Sequence, residues 1–165
     1  MSQQSWSSQP APQIQQPLQP PKEALASWGQ RVGAYLLDFL VILPPYIVAI
    51  VGISIASSSG SMQGLGFALA AVGYIASIGI AIWNYVFRQG RTGYSLGKQA
   101  LGIRLVSIRD GQPIGPGLTF VRGLAHILDS LPLNLGYLWP LWDDKRQTFA
   151  DKVMSTVVAR QKKDA

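Results

Sequence analysis

Between Asp38 and Arg88 lie 49 consecutive residues without Asp, Glu, Lys, Arg or His. A soluble domain of 165 residues has no use for such a run, whereas a bilayer does. The hydrocarbon core is about 30 Å thick, and about 20 apolar residues at about 1.5 Å each cross it as a helix. The run holds two such spans and the turn between them. The first span opens with Arg31 and carries Asp38 inside it, where an ionisable group is costly.

Charged residues make up only 13% of the chain, as befits a small integral membrane protein. Without cysteine there is no disulfide framework, thiolate metal site or Cys nucleophile, and one histidine is too few for a His-rich metal cluster. The net charge of +6 is unevenly placed. Two basic residues lie in 1–31, none in 57–66, five in 88–114, one at Arg122 and six in 143–165. Basic residues accumulate on the cytoplasmic side of membrane segments, so this pattern reads as topology rather than nucleic-acid binding. It faces the 57–66 turn outward and puts both termini and the 88–114 loop in the cytoplasm.

Residues 1–21 hold seven Gln, five Pro and four Ser, too little apolar surface to offset the entropy of ordering. The reading divides the chain into a disordered, cytoplasmic Gln/Pro/Ser-rich tail at 1–27 and a transmembrane domain at 28–163. Span one covers roughly Val32 to Ala56, with Pro44-Pro45 expected to bend or locally break it. Span two covers roughly Leu65 to Phe87. Its Gly66, Ala70, Gly73, Ser77 and Ala81 form a narrow small-residue stripe, which lets another helix approach closely, within the chain or in a dimer. In the loop beyond, Ile103–Ile108 followed by Asp110-Gly111 predicts a small cytoplasmic β-hairpin, to which 156–159 could add a strand.

Residues 115–142 are apolar again, with Arg122, His126 and Asp129 embedded and Pro132 and Pro140 as breaks. A single crossing here would put the basic C-terminus opposite the basic 88–114 loop, so a bent or re-entrant segment is expected. Spacings of four and three place the three ionisable groups on one helical face. With Asp38 they form either an ion or proton path or a neutralised network that fixes helix register. Arg31 lies two turns above Asp38 and reaches it poorly, which makes Arg122 the expected partner of Asp38, alone or sharing the task with Arg31. Arg88, Arg91, Lys98 and Arg104 are candidates for contact with anionic lipid headgroups, each juxtamembrane cation contributing about 1 kcal/mol. Gly93, Gly97 and Lys98 approach a phosphate-loop pattern, but Thr92 replaces its first Gly and Gln99 its magnesium-binding Ser or Thr. Asp143-Asp144 and Asp151 read as a solvated acidic turn or helix cap rather than a cation site.

The segment Trp28-Gly29-Gln30-Arg31-Val32-Gly33-Ala34-Tyr35-Leu36-Leu37-Asp38 resembles the opening of the RDD family of small bacterial membrane proteins. That family is named for one arginine and two aspartates. Arg31 and Asp38 match the first two, and Asp151, in Arg146-Gln147-Thr148-Phe149-Ala150-Asp151-Lys152, matches the third. The stretch from Thr92 to Val106 is similar to the family's loop after the second span, and the resemblance covers about residues 25–160. It implies the fold and a multi-pass location in a bacterial inner membrane rather than an activity; antiporter-like roles have been proposed for some members. Ala150 stands where the family often has His, so a proton relay through that position lacks its histidine here.

The expected fold is an all-α membrane protein: a two-span helical hairpin, a third bent or re-entrant apolar segment and a small cytoplasmic β-hairpin. The residues supply no nucleophile–base pair, no metal site and no cofactor motif, which argues against an enzyme. The expected function is that of an accessory or scaffolding membrane protein built around a buried Arg/Asp network. The alternative is an ion- or proton-coupled transporter, oligomeric because two or three spans enclose little volume. The expected partners are the lipid bilayer with its anionic headgroups, and a further copy of the chain or another membrane protein, but no nucleic acid.

Overall fold

The computed structural model describes residues 20–58 and 60–161. Two long antiparallel helices carry a small head at one end. Helix α1, Trp28–Ala56, starts on a capping box in which Ser27 accepts from the Gln30 backbone and the Gln30 side chain accepts from Ser27. It runs without interruption through Pro44 and Pro45, so the expected local break does not occur. Helix α2, Gln63–Ile82, continues through a π-helical stretch, Trp83–Arg88, into α3, Gln89–Thr92. Together these make a 30-residue helix, and it and α1 are both long and apolar enough to cross a membrane. Their outer faces are open and apolar; Ile75, for example, is 71% exposed.

The small-residue stripe of α2 packs against α1. A Cβ on Gly66 would fall 2.3 Å from the Ala56 nitrogen, one on Gly73 2.5 Å from the Ala49 nitrogen, and one on Gly52 of α1 2.3 Å from the Ala70 nitrogen. The two backbones are therefore in contact, and a methyl group at any of these positions would displace main chain rather than a pliable side chain. Within one chain the stripe is the helix-pairing surface.

The head begins at Gly93, whose φ of +80° ends α3, and continues into α4, Leu96–Ala100, and strand β1, Ile103–Ser107. After it come α5, Gly115–Ala125, the single turns α6, Ile127–Ser130, and α7, Leu135–Leu138, and a 3-10 turn at Trp139–Leu141. Helix α8, Phe149–Val153, and strand β2, Thr156–Arg160, complete it. The expected local hairpin is corrected here. Asp110-Gly111 does form a turn, Gly111 N–H donating to the Ser107 carbonyl, but β1 pairs antiparallel with the distant β2, from Ile103 opposite Arg160 to Ser107 opposite Thr156. The segment 156–159, read as an additional strand, is thus part of the actual partner.

Alternation along the strands makes two apolar clusters. Ile103, Leu105 and Val158 pack on Ala26 and on Ala34 of α1, while Val106 and Val157 pack on Leu25 and Ile108. Residues 20–27, assigned above to the tail, include a 3-10 turn at Lys22–Ala24 and fully buried Leu25 and Ala26, the latter donating to the Val158 carbonyl. Residues 1–19 of that tail lie outside the described residues.

Replacing Gly73 by Leu should lower the stability of the purified protein by more than about 1–3 kcal/mol, the usual cost of overpacking, because backbone must move. Leu at Gly79, where a side chain meets open space, should leave the detergent melting temperature nearly unchanged. Equal melting temperatures for the two variants would refute the backbone contact.

Candidate functional site

The buried polar groups gather where α1, α5 and α8 meet. Asp151, fully buried in the first turn of α8, is the centre. Arg31 Nη1 donates to Asp151 Oδ2 at 2.7 Å. Arg122 Nε and Nη2 donate to Oδ1 at 2.9 and 2.7 Å. Thr156 Oγ1 adds a bond at 3.1 Å and the Thr148 backbone one at 3.3 Å. The last closes a capping box, since Thr148 Oγ1 accepts from the Asp151 backbone. Arg31 also binds the Arg146 carbonyl through Nη2 at 2.6 Å. Burial by itself would raise the pKa of Asp151, but the Arg122 and Arg31 guanidiniums override it and hold the carboxyl well below the usual carboxylate range.

Asp38 has different surroundings from those expected. Its carboxylate is fully buried and accepts from Asn84 Nδ2 at 2.8 Å, Ser95 Oγ at 2.6 Å and the Gly97 backbone at 2.7 Å. The expected Asp38–Arg122 pair is corrected by these contacts: Arg122 belongs to Asp151, and no salt bridge to Asp38 occurs among the described residues. Arg31 and Asp38 share a helix but serve separate clusters. Asn84 comes from the π-helical stretch, and its Oδ1 accepts from the Leu96 backbone at 2.9 Å. Gly97 is necessary here because a Cβ would lie 2.0 Å from the Ala34 carbonyl.

A third cluster joins α6 to α8. His126 Nδ1 and Asp129 Oδ2 are 2.6 Å apart, and Asp129 Oδ1 accepts from the Phe149 backbone at 2.7 Å. Asp129 thus caps a free N–H in the first turn of α8. The His126 ring stacks on Tyr137 at 5.6 Å. The four-residue seam expected from the sequence is therefore divided: Arg122 with Asp151, His126 with Asp129, Asp38 elsewhere.

Of the four headgroup candidates, Lys98 turns inward. Its Nζ donates to buried Gln89 at 2.7 Å. Burial, then Arg122, pushes its pKa down to about 8, with Asp38 opposing and Arg31 adding a smaller push. Arg88 binds the Tyr94 carbonyl at 2.9 Å and the Gln99 side chain, Arg104 binds the Thr92 carbonyl at 2.9 Å, and exposed Arg91 lies over the Phe87 ring. Asp143 bonds Lys152 at 2.6 Å and the Gln147 backbone at 2.9 Å, acting as a turn cap. No group of three or more His, Cys, Asp or Glu suited to a metal occurs among the described residues.

Sequence reasoning missed Asn84, Ser95, Gly97, Thr148 and Thr156. Asn84 did leave a signal: a carboxamide in an apolar span needs an internal partner. Ser95 and Thr148 stand where helix caps stand, just before short helical turns.

A sequence profile of the RDD family matches residues 25–155. The chain is 35% identical over 156 residues to a protein of Mycobacterium leprae (strain TN) named proline-rich antigen, covering 83% of this chain and 61% of that one. It is 49% identical over 83 residues to a proline-rich antigen homolog of Mycobacterium tuberculosis (strain CDC 1551 / Oshkosh), covering 50% of this chain and 35% of that one. The chain thus spans less than two thirds of either relative. No solved structure matches it.

The electrostatics set a pH dependence. The folded pKa of Asp151 lies below its ordinary 3.8, so its contribution to stability is complete above about pH 5 and is lost as pH falls through 3.8 and below. Asp151→Asn should lower stability at neutral pH by about 3–5 kcal/mol, as for a broken buried pair, and flatten the acid limb of the melting curve. Lys98 has the opposite sense. Its folded pKa is about 8 against 10.5, so the penalty for the buried cation is relieved as pH rises through that interval. A Lys98→Met variant should lose that gain in melting temperature above pH 8.

Proposed function

The chain belongs to the RDD family, and from that premise we propose that it is a non-enzymatic, two-span membrane protein of accessory or scaffolding type. In this reading the Arg31–Asp151–Arg122 centre is a clamp that fixes the head to the membrane hairpin. The observation that carries it is saturation. Five donors from the chain's own residues occupy the two oxygens of Asp151, which offer about four acceptor positions, and three occupy those of Asp38, so a passing cation would have to displace or compete with groups of the chain itself. A transport carboxylate must exchange partners; these two hold theirs with groups that also maintain the fold.

The topology follows the same proposal. The head, with its basic residues, faces the cytoplasm of a bacterial cell membrane and the 57–62 turn faces the other side. The two ends of the described chain meet at the sheet, where Leu25 bridges Ala159, in keeping with both termini on one side. Exposed Arg91 is placed to meet anionic headgroups. A second reading, a proton- or cation-coupled transporter assembled from several copies, draws support from the His126–Asp129 pair, whose ring is a quarter exposed beside the clamp.

Purified protein in proteoliposomes, loaded with a pH-sensitive dye and challenged with sodium, potassium and proton gradients, should leak no faster than empty vesicles. Asp151→Asn should instead lose melting temperature and expose the head to limited proteolysis. Gradient-driven flux that vanishes in His126→Phe, with the fold intact, would replace the clamp reading by the transporter.

A further inference from the structure

We infer that residues 115–142 form a monotopic anchor, seated in the acyl region of the leaflet nearest the head, which enters and leaves that leaflet on one side. This rests on the membrane reading above and adds a third lipid-facing element with a defined depth and partner, the hydrocarbon of one leaflet.

Length excludes a crossing. Helix α5 has 11 residues, about 16 Å, roughly half of the hydrocarbon core. The next helices are four residues each, and between them Leu133 and Asn134 adopt φ of 52° and 63°, the left-handed turn that reverses the chain. Both ends are fixed at the same end of the long helices. At the start, Pro116 presses on Gly90 so closely that a Cβ there would lie 2.5 Å from the Pro116 Cα. On the return, the Tyr137 carbonyl accepts from the indole of Trp28, the first residue of α1, at 3.0 Å.

The outward face supplies the rest. Leu118, Phe120, Leu124 and Ile127 are each more than half exposed, and Leu131 and Leu133 at the turn are 73% and 88% exposed. Water would disfavour an apolar patch of this extent. The segment's three ionisable groups are all paired, Arg122 with Asp151 and His126, a quarter exposed, with Asp129, so no unpaired charge lies on the outer face. A protein partner would be fixed by a polar rim and hydrogen bonds. A predominantly apolar face, broken only by exposed Ser130 and Asn134 at the turn and held at both ends against the long helices, suits acyl chains. Tyr137, Trp139 and Trp142 lie on the return arm, where the aromatic preference for the interface would put them.

The chain lacks cysteine, so single cysteines report cleanly. Leu133→Cys, Val72→Cys and Ser61→Cys replace exposed residues, and each can carry a polarity-sensitive fluorophore in vesicles of phosphatidylcholine and phosphatidylglycerol. Nitroxide lipids labelled near the headgroup or near the chain terminus, and aqueous iodide, then read depth. The label at 133 should be quenched most by the shallow nitroxide and little by iodide; that at 72 should be quenched most by the deep nitroxide, and that at 61 by iodide. Iodide quenching at 133 equal to that at 61, with 72 still deep, would overturn the anchor and leave the two-span reading standing, the face then belonging to water or a protein. Deep quenching at 133 equal to that at 72 would overturn the one-leaflet depth. Iodide quenching at 72 would overturn the membrane reading itself.

Discussion

Two arginines converge on one buried aspartate, and the architecture hangs on that point. Arg31 comes from the first turn of α1, Arg122 from α5 and Asp151 from α8, so the centre ties three segments far apart in sequence. Desolvating these groups is expensive, and the cost is offset by close acceptors for both Arg31 Nη atoms and for Arg122 Nε and Nη2, while Arg31 Nε is buried without one. The secondary contacts are chosen to the same end: Thr148 and Thr156 complete the carboxylate, and Arg146 gives up its carbonyl to Arg31. Remove the carboxylate, and two guanidiniums with a nearby Lys98 repel one another in a poorly solvated place.

Asp38 uses the opposite strategy. Its partners are neutral, an amide, a hydroxyl and a backbone N–H, delivered by the π-helical stretch and by α4. Its task is to draw α4 and the end of the second long helix onto α1, a contact so close that Gly97 alone fits. The family's three named residues therefore sit in two centres on one head: the first aspartate locks α4, while the arginine and the second aspartate lock α8.

The long helices and their close pairing were legible because one residue type per position suffices: an uncharged run sets the spans and the Gly66–Ser77 stripe sets their contact face. The bent third segment was legible from its length and from the charge on either side. The partners of the charges were not. Spacing places Arg122, His126 and Asp129 on one face, but which carboxylate each cation meets depends on how α8 docks, and no local pattern carries that. The sheet failed for the same reason. Asp110-Gly111 is a genuine turn signal, yet the strand beside it pairs across about fifty residues, because Val157 and Val158 offer the apolar alternation that the residues after Gly111 lack.

The pairing of residue 31 with residue 151 also governs how the protein comes to exist. At about 5–20 residues per second, a ribosome emits Asp151 roughly 6–24 s after Arg31. The hydrophobic hairpin is complete long before then, while the Arg31 guanidinium still lacks its counter-ion and β1 its strand partner. Assembly of the head thus waits for α8, and a chain cut before Phe149 would leave Arg31 and Arg122 without the carboxylate they share.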